Sequence, residues 1–445
     1  MTTVENRYLQ RNYAPVSDEL TGEDLPVTGS LPEALCGRYL RNGPNPVEPP
    51  DPSTYHWFSG SGMVHGIRLR DGRAEWYRNR FVRSADVAAA LGEPAHPGPV
   101  HADMDFSANT NVIGHAGRTF AIVEAGARPY ELTYELDTVG PSDFGGTLPG
   151  GYTAHPKRDP DSGELHAISY YWGWGNKVQY SVTDVGGRVR KVVDIDVGGP
   201  VSIHDMSLTE RFAVIYDLPV LFDAEAAMSG ALFPYRWDPG YRPRLGLLPR
   251  DGGSDDVTWF DVESCYVFHA MNAYDDGGHV VLDVVRHSKM FDTHRLGPDE
   301  GPPTLNRWTV DLEAGKVVEE RLDDLGQEFP RVDERLVGHR HRYGYAGAFL
   351  EGRDGLVKHD LDKRAREFRP MDSGDGASEA VFVPTEPGAD EDDGWVLSLT
   401  YDATGDTSQL LVLNARDFTG EPQAVVHLPQ RVPFGFHGNW VPDPL

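Results

Sequence analysis

At 445 residues the chain is long enough for a large core in one domain or several, and 39% hydrophobic content fits neither a disordered chain nor one with a spanning helix, since no run approaches about 18 consecutive apolar residues. The 41 basic and 69 acidic side chains leave a formal charge of -28, which argues against a nucleic-acid partner and against strong attraction to an anionic membrane. Cys36 and Cys265, the only cysteines, make no disulfide framework, and the first residues, Met1-Thr2-Thr3-Val4-Glu5-Asn6-Arg7, lack a signal-peptide core, so a cytoplasmic protein is expected.

Residues 1–30 are polar and read as an extended arm. Arg41-Asn42-Gly43-Pro44-Asn45-Pro46 must turn. The stretch from His56 through Ser59-Gly60-Ser61-Gly62 reads as a glycine-rich turn entering a strand. Asp71-Gly72 is a hairpin signal, with residues 74–82 as the return strand. Residues 86–91 and 222–232 are candidate short helices. Elsewhere short β-rich runs recur, among them 119–124, 164–174, 177–183, 189–195, 211–217, 265–272, 280–286, 344–350, 355–360, 395–402 and 409–414. Asp161-Ser162-Gly163, Val185-Gly186-Gly187 and Asp275-Asp276-Gly277-Gly278 supply turns between them. Residues 251–256 and 386–393 are acidic and read as solvated loops too short to be linkers. No exact repeat of 20 to 50 residues is visible, so a solenoid is disfavoured. Short strands with frequent turns fit a propeller, a sandwich or several barrels. One all-β domain over residues 1–445, a propeller, is expected, because each blade sends its inner strand to a common axis. The blade count does not follow from the sequence.

Of 17 histidines, four stand at strand edges: His155 in Thr153-Ala154-His155-Pro156, His204 in Ser202-Ile203-His204-Asp205, His269 in Phe268-His269-Ala270-Met271 and His437 in Gly435-Phe436-His437-Gly438. A strand histidine taken alone is usually structural, and no short-range motif such as His-Glu-x-x-His is present, so spacing alone leaves metal binding the minority reading. His294, His339, His341 and His359 read as surface or structural residues. His101 and His115 flank a core hairpin.

The chain resembles the carotenoid cleavage oxygenases, a family that includes apocarotenoid, retinoid and lignostilbene cleaving enzymes. The matching stretches run from near Arg41 to Trp440. They include Asn109-Thr110-Asn111-Val112, Thr153-Ala154-His155-Pro156 with Gly163-Glu164-Leu165, His204-Asp205 with Asp217-Leu218-Pro219, and Phe268-His269-Ala270-Met271-Asn272-Ala273. Glu328-Phe329-Pro330, Ser378-Glu379-Ala380, Glu391-Asp392-Asp393-Gly394 and Gly435-Phe436-His437-Gly438-Asn439-Trp440 follow in the shared order.

The resemblance implies a seven-bladed β-propeller with a loop and short-helix cap over an axis that carries iron. It implies that His155, His204, His269 and His437 bind Fe(2+), and that Glu124, Glu328 and Glu379 accept the distal N–H protons of His204, His269 and His437, leaving His155 without such a partner. The implied activity is oxidative cleavage of a conjugated C=C bond of an apocarotenoid or carotenoid to two carbonyl products, using O2. Cleavage of a stilbene or phenylpropenoid is the runner-up, and an isomerohydrolase or a propeller that is only an interaction module stand further off.

Three departures from the family pattern stand out. Ser59 and Ser61 replace two acids, a change expected to matter little. Met206 stands where an aromatic is common. Val123 stands where the lignostilbene branch has a lysine against the phenolic oxygen, which favours an apolar polyene. Phe58, Phe81, Thr110, Phe144 and Met206 are the candidates for a substrate tunnel. Phe222, Leu232 and Phe233 are candidates for an apolar rim giving peripheral membrane contact, and a monomer is the default expectation.

Overall fold

The computed structural model describes residues 5–443 apart from 107, 351–352 and 373, and these form seven antiparallel sheets of four or more strands, the blades of a β-propeller, and one two-stranded side hairpin. Five blades are four strands paired in chain order, and their first strands are Asn111–His115, Lys157–Arg158, Ser207–Leu208, Tyr266–Asp276 and Gln327–Arg331. The sixth begins with Gly376–Ala377 and Val381–Pro384, both paired to Gly394–Asp402. The ring closes in the seventh, where the last strand of the chain, Gly438–Pro442, pairs antiparallel with Gly37–Pro44, Tyr39 opposite Trp440. These first strands, and Gly438–Pro442, face one another around the axis. Closing the sheets into a ring in this way protects the blade edges that an open sheet would expose.

The burial pattern follows from position in the blade. Tyr266–Asp276 is buried at every residue through Tyr274, because it lies near the axis with protein on both faces. Val189–Asp196, the last strand of its blade, alternates between exposed and covered residues along much of its length. The core lies between the faces of adjacent blades, as where Tyr39 and Tyr77 pack with Leu397 and Leu410. The hairpin expected at Asp71-Gly72 joins Gly62–Arg70 to Arg73–Phe81 with both turn residues at positive φ, +48° and +70°, the conformation that matches the twist of paired strands.

The arm expected over residues 1–30 is more structured than its polarity suggests; its first four residues lie outside the described ones. Arg7–Leu9 and Arg11–Tyr13 are short 3-10 turns, and Thr21–Glu23 and Val27–Gly29 add outer strands to two blades. Unpaired backbone at a blade edge recruits polar segments as readily as apolar ones. The helix expected at 86–91 is Ala85–Ala90. The helix expected over 222–232 is only Ala224–Met228, because Val220–Phe222 pairs with Tyr235–Trp237 as a side hairpin. The strand expected over 164–174 stops at Tyr170, and Trp172–Trp174 is a 3-10 turn. Among the described residues no helix is long and apolar enough to cross a membrane.

Candidate metal centre

Each of the seven blades delivers one buried histidine or glutamate to the axis. His155 lies just ahead of Lys157–Arg158, His204 just ahead of Ser207–Leu208, and His437 immediately before Gly438–Pro442. His269 lies within Tyr266–Asp276 and Glu328 within Gln327–Arg331; Glu379 lies between Gly376–Ala377 and Val381–Pro384. Glu124 follows Arg118–Ile122, the second strand of its blade. Residues hundreds of positions apart therefore meet because their strands converge.

The four histidines offer ring nitrogens that all lie within 4.8 Å of one another. Nε2 of His155 is 3.0 Å from that of His204, and His204–His269 and His269–His437 are each 3.1 Å. Three Nδ1 atoms face carboxylates: His204 and Glu124 Oε2 at 2.8 Å, His269 and Glu328 Oε2 at 2.5 Å, His437 and Glu379 Oε1 at 3.0 Å. A carboxylate keeps the proton on Nδ1 and leaves Nε2 as a lone pair. Lone pairs packed this closely repel unless a cation lies among them. A first-row metal bonded to imidazole at about 2.1 Å holds two nitrogens at right angles about 3.0 Å apart, so the donor set fits such an ion.

The electrostatics favour neutral rings at His155 and His437. Burial, with the other three rings adding to it, holds His155 well below the ordinary histidine value. Burial also lowers His437 to about 4, against the pull of Glu379. For His269 burial is outweighed by Glu328, and the net direction is up; Glu328, despite its burial, is held well below the usual carboxylate range by His269 and His287. Glu379 is lowered to about 2, because Arg331 and His437 outweigh its burial.

Asp205 ties three of these segments together. It follows His204, its Oδ2 accepts from the amide of Ala270 beside His269 at 3.0 Å, and its Oδ1 lies 2.7 Å from Nζ of Lys157, two residues beyond His155. The Thr110 carbonyl accepts from the His437 amide at 3.1 Å, and Asn109 donates to the carbonyls of Phe58 and Gly60.

His204, His269 and His437 open onto a cavity of about 880 Å³ with mainly aromatic and aliphatic walls. Of the tunnel candidates, Phe58 and Thr110 line it. Phe81, Phe144 and Met206 do not, and this corrects the expectation for those three. Phe81 packs on Met63 and Val87, Phe144 on Phe120 and Tyr152, and Met206 is 1% exposed within the largest core cluster. A strand or turn aromatic points either to the axis or between blades, and residue type does not tell which.

Val123, Phe222, Leu232 and Phe233 also line the cavity, and Leu232 is 56% exposed. Sequence reasoning passed over Tyr8 and Tyr13, which line it from the polar arm, and Phe268, Phe329 and Phe436, each adjacent to a residue already singled out. That adjacency was the available signal. The other histidines serve the scaffold or the surface: His101 reaches the Gly126 carbonyl and His115 that of Asp184, His341 is buried against Asp283, and His359 is buried against Gln327. His339 pairs with Asp161, and His294 is exposed.

Comparison with known proteins agrees with this geometry. The family described as retinal pigment epithelial membrane protein matches residues 13–442. A carotenoid cleavage oxygenase of Mycobacterium tuberculosis is 49% identical over 98% of both chains. Among solved structures, the cobalt-substituted apocarotenoid oxygenase of Synechocystis superimposes with a TM-score of 0.88 at 28% identity over 98% of both chains. The lignostilbene dioxygenase of Pseudomonas brassicacearum superimposes with a TM-score of 0.89 at 27% identity over the whole of both. A four-histidine axis in a seven-bladed propeller, matched along nearly its full length at this identity, means that the chain belongs to the carotenoid cleavage oxygenase family and is an oxygenase.

Proposed function

We propose that the protein is a non-haem Fe(II)-dependent dioxygenase that cleaves a conjugated C=C bond of an apocarotenoid or carotenoid into two carbonyl products. The observation that carries this reading is the set of four converging imidazole nitrogens, three of whose rings line a large, mainly apolar cavity. His155, His204, His269 and His437 would hold the iron. When bound, ferrous iron supplies the one-electron chemistry by which O2 overcomes the spin barrier to reaction with an alkene.

The side chains then have positional work. Glu124, Glu328 and Glu379 keep Nδ1 protonated on three ligands and fix the ring planes. Both oxygens of Glu328 and of Glu379 accept hydrogen bonds, and Glu124 is held at Oε1 by Tyr170 with Oε2 2.8 Å from His204 Nδ1, so the three carboxylates are committed to the ligand rings rather than to substrate. Phe58, Phe268, Phe329 and Phe436 offer faces and edges to a conjugated chain and exclude bulk water from it. Burial of that chain contributes about 0.8 kcal/mol per CH2-sized group, which selects length gradually. Leu232, with Phe222 and Phe233 behind it, forms an apolar rim suited to collecting substrate from a membrane surface.

Cleavage of a stilbene or phenylpropenoid is the second reading, favoured by the likeness to the Pseudomonas enzyme. Against it, Val123 offers no cation to a phenolic oxygen.

The test is aerobic incubation of iron-loaded protein with an apocarotenal and, separately, with 4-hydroxystilbene, following O2 uptake and identifying the carbonyl products. Apocarotenal cleavage that disappears in His269→Ala is the expected result. Consumption of the stilbene alone would move the assignment to the second reading, and consumption of neither would remove both.

A further inference from the structure

The glutamates facing His204, His269 and His437 are themselves held, each by a different kind of donor. The Tyr170 hydroxyl donates to Glu124 Oε1 at 3.0 Å. The Nε2–H of His287 donates to Glu328 Oε1 at 2.8 Å. Arg331 Nη1 lies 3.0 Å from Glu379 Oε2, which also accepts from the Gly438 amide at 2.9 Å. Phenol, imidazole and guanidinium thus occupy the same place three times over, on the oxygen side away from the facing histidine or shared with one backbone amide. All three come from strand ends near the axis: Tyr170 closes Leu165–Tyr170, His287 closes His279–His287 and Arg331 closes Gln327–Arg331.

A carboxylate held at one oxygen only can turn about its Cγ–Cδ bond and let the facing imidazole tilt. A second donor fixes the carboxylate plane, and with it the direction of the Nε2 lone pair. The surroundings make the second donor necessary. Tyr170 and His287 are 2% and 5% exposed, so no bulk water stands ready to replace either. Tyr170 is fixed in turn, its hydroxyl 3.2 Å from Ser202 Oγ, and the ring of His287 meets that of Phe268 edge-on at 5.2 Å.

We propose that Tyr170, His287 and Arg331 are positioning residues of the metal centre, one for each glutamate, aiming His204, His269 and His437 through the carboxylate between. The proposal rests on the metal reading above. It concerns metal geometry and affinity, and it is tested without turnover.

The test is titration of the metal-free full chain with cobalt(II), whose visible absorption reports the number and arrangement of its ligands. Wild type and the variants His269→Ala, His287→Phe, His287→Gln and Tyr170→Phe are compared, with circular dichroism of each metal-free protein to establish that it is folded. Wild type should take one equivalent and His269→Ala should bind far more weakly. His287→Phe keeps a ring without a donor. It should bind on the order of 10-fold more weakly and shift the cobalt spectrum. In His287→Gln the side-chain amide can again donate to Glu328, and affinity and spectrum should return toward wild type. Tyr170→Phe should repeat the loss through Glu124. Wild-type affinity and spectrum in folded His287→Phe and Tyr170→Phe would overturn the proposal while leaving the metal reading standing. Failure of wild type itself to bind cobalt would overturn both.

Discussion

Gly43 and Gly435 cross with no room for a side chain on either: a β-carbon on Gly43 would lie 2.7 Å from the α-carbon of Gly435, and one on Gly435 would lie 2.7 Å from that of Gly43. The crossing is backbone against backbone, so neither side can yield by changing rotamer. It sits two residues before His437, whose carbonyl accepts from the Asn42 amide at 2.9 Å while Phe436 donates to the Asn42 carbonyl at 3.0 Å. The seam that closes the propeller is thus also the mount for one of the four axial histidines.

Gly435→Ala should therefore act on stability and on the metal site together. Forcing the segments apart should cost about 1 to 3 kcal/mol of unfolding free energy. Because the displaced segment carries His437, metal content after purification should fall as well. Urea unfolding and metal analysis on the same preparation check this; a destabilised variant with full metal occupancy would separate the seam from the site.

Asp205 makes a different kind of mount. It is buried, and through Lys157 and the Ala270 amide it joins the segments that carry His155, His204 and His269. Asp205→Ala strands the partly buried Lys157 ammonium and an amide, and should lose about 3 kcal/mol or more. It should also broaden the spectrum of bound cobalt, since three ligand segments lose a common tether. Equilibrium unfolding and cobalt absorption give the two readings. Asp205→Asn, which can keep the amide contact but not the charge, should fall between wild type and the alanine variant.

How much of this was legible in the sequence follows from the kind of interaction involved. His155, His204 and His437 each come just before a strand, and His269 lies in one, so strand edges carry the information about which residues reach an axis. The seven sheets needed the family resemblance, because short strands with turns do not fix a blade number. The cavity wall was poorly legible. Phe144 and Phe81 have the composition of a tunnel lining, but Phe144 lies between blades and Phe81 packs on its own hairpin and the helix that follows it, while Tyr8 and Tyr13 come from a segment whose average polarity hides them. Tyr170, His287 and Arg331 were not legible at all, since Tyr170 and His287 are 46 and 41 residues from the carboxylates they hold and no local pattern links them.

Val123 gives a prediction about substrate choice. It lines the cavity directly before Glu124 and is 6% exposed. Val123→Lys would bring an ammonium into an apolar wall, where a polyene offers it nothing and a phenolic oxygen offers it a partner. The ratio of kcat/KM for an apocarotenal to that for 4-hydroxystilbene should fall at least about 10-fold, mainly through loss of the polyene. Side-by-side kinetics on the two substrates decide it, and an unchanged ratio would mean that Val123 does not face the part of the substrate that differs.

The pH dependence of stability can be predicted from histidines that have no part in the metal site. Burial, with Arg41 and Arg431 adding to it, lowers His65 to about 3; burial alone lowers His56 to about 3; burial, then Arg250, lowers His166 to about 4. In the unfolded chain each titrates near 6.5. Between these values the unfolded chain holds protons that the folded chain does not, so unfolding is favoured by acid. The stabilisation is present above about pH 6.5 and is lost as pH falls toward the folded values. For a single such group the loss between pH 7 and pH 5 is about 2 kcal/mol. His65 is the cleanest test, because it is buried and its Nδ1 lies 2.9 Å from the Tyr77 hydroxyl. His65→Gln can replace that contact but cannot titrate. It should be less stable than wild type at pH 7 and should lose about 2 kcal/mol less on going to pH 5. Urea unfolding of the metal-free proteins at the two pH values measures the difference, and parallel losses in wild type and variant would show that His65 does not carry the acid sensitivity.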